Sequence, residues 1–191
     1  LGAARDVSPA QLDYANEPGE WNENGDSVTR TVTAFLRKQS LPKEAVTKTI
    51  LQHLNQICGG TAFQGIDART DNENRWEICL DEVGKPGEIP LSKSGAGLKT
   101  ILCVLTLMEL RSRLLGNPHG TGQENVIYAI EELENNLHPS LQRRLLTYIR
   151  QRALDTKSTV FLTTHSPVAI DFFEGDVEAQ IVHVRHDGTS A

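Results

Sequence analysis

The sequence predicts an α/β fold with parallel core strands, flanking helices and a small hairpin. "VIYAI" and "TVFLTT", which begin at residues 126 and 159, are short runs rich in β-branched and other apolar residues. Such runs are typical of strands covered on both faces. Between them lies an amphipathic helix pattern with Pro139 suited to its first position, and Leu141, Leu145, Tyr148 and Ile149 form its inward stripe. Together they predict a βαβ unit with parallel strands and a right-handed crossover.

The composition is that of a soluble globular chain of one domain or most of one. Apolar residues make up 38% of the 191 residues, charged residues 23%, and no apolar run approaches the roughly 18 residues of a membrane-spanning helix. The net charge of −6 argues against a surface that is basic throughout, as nucleic-acid binding would favour. Cys58, Cys79 and Cys103 lack CxxC spacing, so we expect neither a zinc site nor a disulfide framework. We therefore expect a reduced, cytoplasmic setting.

The first 60 residues are predicted to form a loop followed by two helices. Residues 14–27 are rich in Gly, Pro and Asn and carry turn chemistry. The helices are predicted over residues 28–39 and from about 42 to 58, the second ended by Gly59-Gly60. This region is the more basic one, with Arg30, Arg37, Lys38, Lys43 and Lys48. We interpret these residues as a solvated helical face, with a nucleic-acid-facing patch as the alternative.

From Ala62 the apolar periodicity becomes that of strands, and later that of a helix. "AFQGIDART" and "RWEICLDE" flank the turn-like "DNEN" and predict a hairpin, with Trp76, Ile78 and Leu80 on one face. Over residues 98–115 most positions are apolar, which predicts a largely buried helix.

The stretch Ser94-Gly95-Ala96-Gly97 lies at the start of that helix. Backbone N–H groups without intrahelical partners and the helix dipole could bind a phosphate there, the dipole contributing roughly 0.3–2 kcal/mol. The alternative is a serine N-cap with glycines that serve only the entry turn. "GAGLKT" is not a Walker A loop, because Leu98 stands where a glycine must precede the lysine.

Polar residues directly follow both predicted parallel strands. Glu131 and Glu132 follow the first, and Thr164-His165-Ser166 follow the second. The carboxyl ends of parallel strands meet at one edge of the sheet, where ligands bind in open α/β folds. Two adjacent glutamates with reference pKa values near 4.3 both ionise at neutral pH, and Mg²⁺ would compensate their charge. The alternatives are a solvated acidic loop and a structural His165 beside a helix that Ser166 caps and Pro167 begins.

Taken together, these stretches resemble the motifs of ABC-type ATPases in their order. "LSKSGAG" resembles the signature motif, "VIYAIEE" the Walker B strand, "LENNLHP" the D-loop and "TVFLTTHSP" the switch-histidine loop. The Glu-Glu pair followed by "LHP" is similar to the SMC/RecF-like branch, and particularly to OLD-family and related phage-defence ATPases. The resemblance covers about residues 90–170. It implies part of a three-layer P-loop NTPase domain, with residues 1–60 as an N-terminal loop and helical segment and 61–191 as the C-terminal lobe of the head.

The resemblance also implies roles for the residues at the strand ends. Glu131 would bind Mg²⁺ through water, in the place usually held by the Walker B aspartate. Glu132 would orient and deprotonate the water that attacks the γ-phosphate of ATP. His165 would hydrogen-bond that phosphate and sense its loss.

Further roles follow from the resemblance at the seam of an expected homodimer. Ser94, Gly95 and Gly97 would contact the γ-phosphate of ATP held by a facing protomer, and Asn135, Asn136 and His138 would lie at the dimer seam. Ala96 and Gly97 depart from the usual signature residues, so Ser92 competes with Ser94 as the phosphate contact.

The missing Walker A loop bears on activity. In the resembling family this loop lies upstream, so we expect the chain to be the C-terminal part of a head and to be inactive alone. Three functions remain open: an ATP-hydrolysing head that controls DNA processing or anti-phage defence, a non-hydrolysing assembly module, and a metal-dependent nuclease that uses Glu131, Glu132 and Glu134. A nuclease or other effector partner and a DNA contact are compatible with the first, and no membrane partner is expected.

Overall fold

The computed structural model describes residues 7–10, 26–115 and 125–184, and most of the loop predicted over residues 14–27 lies outside them. The helices are α1 (Asp26–Arg37), α2 (π-helical Ala45–Ile50, then Leu51–Cys58), α3 (Ala96–Leu105, then π-helical Thr106–Arg111 and Ser112–Leu115), α4 (Pro139–Asp155) and α5 (Pro167–Phe173). The strands are β1 (Phe63–Thr70), β2 (Trp76–Glu82), β3 (Glu88–Pro90), β4 (Ile127–Glu131) and β5 (Thr159–Thr163).

Both helices predicted in the N-terminal third are present, with slightly shifted bounds. Val32 and Phe35 of α1 and Leu54 of α2 are each 0% exposed, so the apolar stripes face the core. α2 ends at Gly59, whose φ of 92° lies in the left-handed region that glycine adopts at little cost. The Gly-Gly pair therefore ends the helix as predicted.

Two of the five basic residues of this region, Arg37 and Lys48, make contacts within the fold. The Arg37 guanidinium donates hydrogen bonds to the Asp67 carboxylate (3.1 Å) and to the backbone carbonyl of Ala68. Lys48 pairs with Glu44 at 2.9 Å, one helical turn away. The choice between a solvated helical face and a nucleic-acid-facing patch stays a prediction.

The predicted hairpin forms between β1 and β2. Ile66 lies opposite Leu80, and Ile78 and Leu80 are 1% and 0% exposed. In the turn, the Asp71 carboxylate accepts a hydrogen bond from the backbone N–H of Arg75 (2.8 Å), the main cause of a lowered pKa at Asp71. β3 joins as a third antiparallel strand beside β2, which the sequence pattern did not predict.

α3 begins at Ala96, slightly before the predicted start, and continues as a helix to residue 115. Its central side chains are almost fully buried, including Ile101, Leu102, Leu105 and Met108. They belong to a hydrophobic cluster that also contains residues of α1, α2, the antiparallel sheet and the βαβ unit. This cluster contains residues from both sides of residue 60. The division into segments 1–60 and 61–191 stays a prediction.

The βαβ unit is confirmed. β4 and β5 pair in parallel, with Glu131 opposite Thr163, and α4 connects them. Pro139 is the first residue of α4, and Leu145, Tyr148 and Ile149 are buried.

The prediction that both faces of these strands are covered is wrong. Tyr128 and Ile130 are 6% and 1% exposed, whereas Ile127 and Phe161 on the opposite face are 71% and 63% exposed. An apolar run indicates that both faces of a strand are suited to burial. It does not indicate whether another element of the same chain packs against each face. Within the described ranges, this face of the parallel sheet is open to solvent.

Two further properties concern the described residues as a whole. None of their helices is both long and apolar enough to cross a bilayer. Cys58, Cys79 and Cys103 are free thiols, and burial raises the pKa of the Cys79 thiol to about 11.

Candidate functional site

The structure brings the ends of β4 and β5 to one edge of the sheet. Two segments emerge there, which we call the acidic turn (residues 132–138) and the histidine loop (residues 164–166). Glu132 has a φ of 45°, a left-handed conformation that costs a non-glycine residue about 1–3 kcal/mol. Its N–H donates to the Thr163 carbonyl at 2.9 Å. The chain therefore turns sharply after Glu131 while staying bonded to the end of β5.

Glu131 and Glu132 have different surroundings at this edge. Glu131 is the last residue of β4 and is exposed, whereas Glu132 is half-buried. The Asn135 side-chain amide donates to the Glu132 carboxylate at 2.8 Å. Asn135, expected at a dimer seam, thus orients Glu132 within its own chain.

Glu134 makes the closest link between the acidic turn and the histidine loop. Its carboxylate accepts a hydrogen bond from the Thr164 hydroxyl (2.9 Å) and another from the backbone N–H of His165 (2.6 Å). Burial raises its pKa, but hydrogen bonds from its own backbone, from His165 and from Thr164, with the His165 charge, outweigh burial and lower the pKa overall. Sequence reasoning considered Glu134 only as a possible metal ligand and missed this contact. The available signal was a third acidic residue placed just beyond the strand end.

The histidine loop leads directly into α5. Ser166 is the N-cap of α5, where its hydroxyl oxygen accepts from the Val168 N–H at 3.2 Å and its O–H donates to the Gln142 side chain at 2.7 Å. Pro167 is the first helical residue. This capping matches the structural alternative, while the side chain of His165 itself is exposed at the sheet edge.

The entrance to α3 is capped by a glycine. Gly95 is the N-cap, with φ −64° and ψ 147°, and makes no side-chain cap hydrogen bond. The Ser94 hydroxyl instead donates to the Leu91 carbonyl at 2.7 Å, and the Ser92 hydroxyl donates to the Glu77 carboxylate. The serine N-cap alternative is therefore not observed, and either serine would have to exchange its present acceptor to donate to a phosphate.

Gly97 brings the start of α3 against the acidic turn of the same chain. A Cβ at this position would lie 2.8 Å from the Asn136 carbonyl oxygen and 3.3 Å from a methyl of Leu137. A Cβ at Gly95 would meet nothing within 4 Å. His138, the last residue of the turn, is the N-cap of α4, where its ring accepts from the Ser140 N–H. The glycine stretch and the acidic turn therefore form one continuous surface.

The donor set at the edge fits one kind of magnesium site. Mg²⁺ in nucleotide sites is commonly held by one or two carboxylates together with phosphate oxygens and water, and the exposed Glu131 carboxylate suits that role. Glu132 and Glu134 accept hydrogen bonds from Asn135, Thr164 and His165. Across residues 7–10, 26–115 and 125–184, no group of at least three His, Cys, Asp or Glu side chains is arranged to hold a metal ion.

Comparison with known families identifies the domain. The family model of the AAA ATPase domain matches residues 20–170. The chain belongs to this family. The match confirms, at the level of domain class, the ATPase assignment that the motifs predict, and it agrees with the α/β fold with parallel strands and flanking helices.

Solved structures similar to this AAA ATPase domain include SMC heads. One is the Smc head with an extended coiled coil bound to the C-terminal domain of ScpA from Pyrococcus furiosus, at 12% identity over 68% of this chain and 30% of that chain, with a TM-score of 0.49. Another is the Smc head with a coiled coil and joint from Pyrococcus yayanosii, at 13% identity over 68% of this chain and 23% of that chain, TM-score 0.49.

A third similar structure comes from a study of ATP-driven dimerization and DNA-stimulated activation of SMC ATPases. It is 16% identical over 78% of this chain and 84% of that chain, with a TM-score of 0.48. The chain thus spans less than a third of the length of the two Pyrococcus structures. No curated protein shows a significant match.

Proposed function

We propose that this chain is the C-terminal part of an ABC-type ATPase head of the SMC/RecF-like branch, close to the OLD family, which hydrolyses ATP with Mg²⁺ as a dimer. One observation carries the proposal: the adjacent Glu131 and Glu132 share a sheet edge with the histidine loop. Family membership as an AAA ATPase domain supports the same reaction class.

The residues at this edge divide the chemistry between them. Glu131 would hold Mg²⁺, which would offset the negative charge of the ATP phosphates. Glu132, oriented by the Asn135 amide, accepts a proton from the water that attacks the γ-phosphate. His165 hydrogen-bonds the γ-phosphate, and its exposed position supports that role.

In the proposed dimer, the start of α3 lines the ATP site of the facing protomer. Ser94, Gly95 and Gly97 contact the γ-phosphate of ATP held by a facing protomer, with Asn135, Asn136 and His138 near the seam. The open space around Gly95 supports this role, because a phosphate can approach its backbone closely. The tight fit of Gly97 on Asn136 supports the idea that the two surfaces act together.

The loop that holds the phosphates is contributed by chain outside these residues. The apolar face with Ile127 and Phe161, exposed by 71% and 63% here, is the surface on which that part of the head packs. Without it the domain lacks the lysine and backbone cradle that determine nucleotide affinity. The 191-residue chain alone is therefore inactive.

The decisive experiment is Glu132→Gln in the full-length protein. General-base assistance contributes roughly 10²–10⁴ in rate, so ATP turnover should fall by about that factor while ATP binding persists. Steady-state ATPase assays and equilibrium binding of a fluorescent ATP analogue measure the two quantities. Glu44→Gln is the matched control, since Glu44 is 73% exposed and pairs with Lys48 in the N-terminal helical segment.

The same variants separate the alternatives. Unchanged ATP turnover in Glu132→Gln would overturn the assignment of Glu132. Absence of ATP turnover in the wild-type protein as well as in Glu132→Gln would favour a non-hydrolysing assembly module. Metal-dependent DNA cleavage without ATP would favour the nuclease. In the proposed function, ATP-dependent closure of the heads controls DNA processing or anti-phage defence through an effector. Analytical ultracentrifugation with Mg-ATP tests the closure.

A further inference from the structure

We propose that Glu134 is a positioning residue that holds the histidine loop in register with Glu132, so that the acidic turn and His165 move as one unit. The inference rests on the proposed function, because it assigns Glu134 a part in the same site. It concerns a residue that acts through its neighbours and does not itself touch the nucleotide.

The hydrogen-bond geometry carries this assignment. The two carboxylate oxygens of Glu134 accept from two different groups of the loop: Oε2 from the Thr164 hydroxyl at 2.9 Å and Oε1 from the His165 N–H at 2.6 Å. Both are charge-assisted bonds, which are about twice as strong as neutral ones. A carboxylate is suited to this position because it only accepts, and both facing groups donate.

The same turn is anchored on both sides of Glu134. Leu133 is 3% exposed and belongs to the hydrophobic cluster, while Asn135 donates to the Glu132 carboxylate at 2.8 Å. The three consecutive side chains Glu132, Leu133 and Glu134 therefore contact three different partners, which are Asn135, the hydrophobic cluster and the histidine loop. A shift of the histidine loop cannot occur without moving Glu134 or breaking two strong hydrogen bonds.

The far side of the loop has a separate anchor. Ser166 donates to the Gln142 side chain at 2.7 Å and caps α5. The side chain of Ser166 is thus held by α4 and α5, whereas its backbone N–H donates to the Thr164 hydroxyl at 3.0 Å and the His165 N–H donates to Glu134. Loss of Glu134 should therefore loosen the backbone of the histidine loop, while the Ser166 side chain keeps α5 in place.

The test uses Glu134→Gln in the full-length protein. A glutamine presents an N–H₂ group to one of the two donors, so at least one hydrogen bond is lost with little change in volume. We expect kcat to fall about ten- to a hundredfold, because a displaced His165 would no longer hydrogen-bond the γ-phosphate in the transition state. The loss of a hydrogen bond to a charged group has about this effect. The KM for ATP and the affinity for nucleotide should stay within about twofold, because the nucleotide is not contacted.

Thr164→Val and the double variant complete the cycle. Thr164→Val removes the hydroxyl that donates to Glu134 and accepts from the Ser166 N–H, while the His165 N–H bond to Glu134 remains. Because the two residues share one hydrogen bond, the double variant should lose less kcat than the product of the two single losses. Glu88→Gln is the control, since Glu88 pairs with Arg69 on the antiparallel sheet, away from the histidine loop.

A second readout does not depend on ATP turnover. Hydrogen exchange of a peptide covering residues 159–170 reports the protection of the His165 amide, and Glu134→Gln should accelerate that exchange while Glu88→Gln does not. Unchanged kcat, or a fall in kcat with unchanged exchange, would overturn the role of Glu134. If Glu132→Gln also keeps its turnover, the proposed function fails, whereas faster exchange in Glu134→Gln would still support the anchoring of the loop.

Discussion

At the scale of single residues, Gly97 decides how the start of α3 meets the acidic turn. Its backbone lies so close to Asn136 that an added Cβ would stand 2.8 Å from a backbone carbonyl oxygen. A backbone atom cannot move aside as the end of a flexible side chain can. Gly97 is therefore required by close approach, whereas Gly95 has open space around it.

This difference predicts unequal outcomes for Gly97→Ala and Gly95→Ala. Gly97→Ala should lower the free energy of unfolding by about 1–3 kcal/mol, the usual cost of overpacking a site that cannot relax. Gly95→Ala should cost less, no more than about 1 kcal/mol, because φ is −64° and the methyl meets no neighbour, so that only the N-cap preference for glycine over alanine is lost. Urea denaturation of both variants measures the effect, and equal stabilities would contradict the close contact.

At the scale of elements, a buried carboxylate joins α3 to α4. The Glu109 side chain is 2% exposed, accepts a hydrogen bond from the Tyr148 hydroxyl at 3.0 Å, and has Arg152 Nε 3.1 Å away. Burial, followed by the Glu109 charge, raises the pKa of Tyr148 well above its usual value. The helix before the βαβ unit and the helix within it are thus tied by a charged group as well as by apolar packing.

Removing that charge should be costly. Glu109→Gln keeps the size and the hydrogen bond to Tyr148, but it removes a buried negative charge that faces Arg152 and Arg113, so we expect a loss of about 3–5 kcal/mol in the free energy of unfolding. Thermal and urea denaturation measure the loss. Glu44→Gln, in an exposed pair with Lys48, should change stability far less, and a similar loss in both variants would show that burial of Glu109 is not the cause.

At the scale of the whole molecule, the parallel sheet is packed on one face and exposed on the other. Phe161 and Ile127 contribute large apolar side chains to the exposed face. Exposed apolar surface of this kind commonly marks an interaction site. The proposal that the nucleotide-binding part of the head packs there makes stability depend on the length of chain present.

Phe161→Asp tests that dependence. In the 191-residue chain the variant should change the free energy of unfolding by no more than about 0.5 kcal/mol, as for other exposed positions. In the full-length protein it should cost at least about 1.5–3 kcal/mol, the value of burying one such side chain. Leu154→Asp, at a position 40% exposed on α4, is the control, and equal effects in both chain lengths would contradict a covered face.

Local pattern alone determined much of this protein. Apolar runs separated by a helical stripe specify β4, α4 and β5, and parallel pairing then requires that Glu131 and His165 emerge at one edge. Gly59, Pro139 and Ser166 mark helix ends, because their backbone or capping chemistry acts on neighbouring residues. The hairpin is predicted by the two strand-like runs on either side of the turn at residues 71–74, where Ile66 pairs with Leu80.

Only the tertiary structure decided which groups separated in sequence meet. The exposure of one sheet face, the bonds from Glu134 to the histidine loop, the contact of Gly97 with Asn136 and the burial of Glu109 against Tyr148 all depend on distances between distant segments. Periodicity records only how a residue suits its own helix or strand. Hydrogen bonds and close packing depend on the position of the partner, which exists only once the elements have assembled.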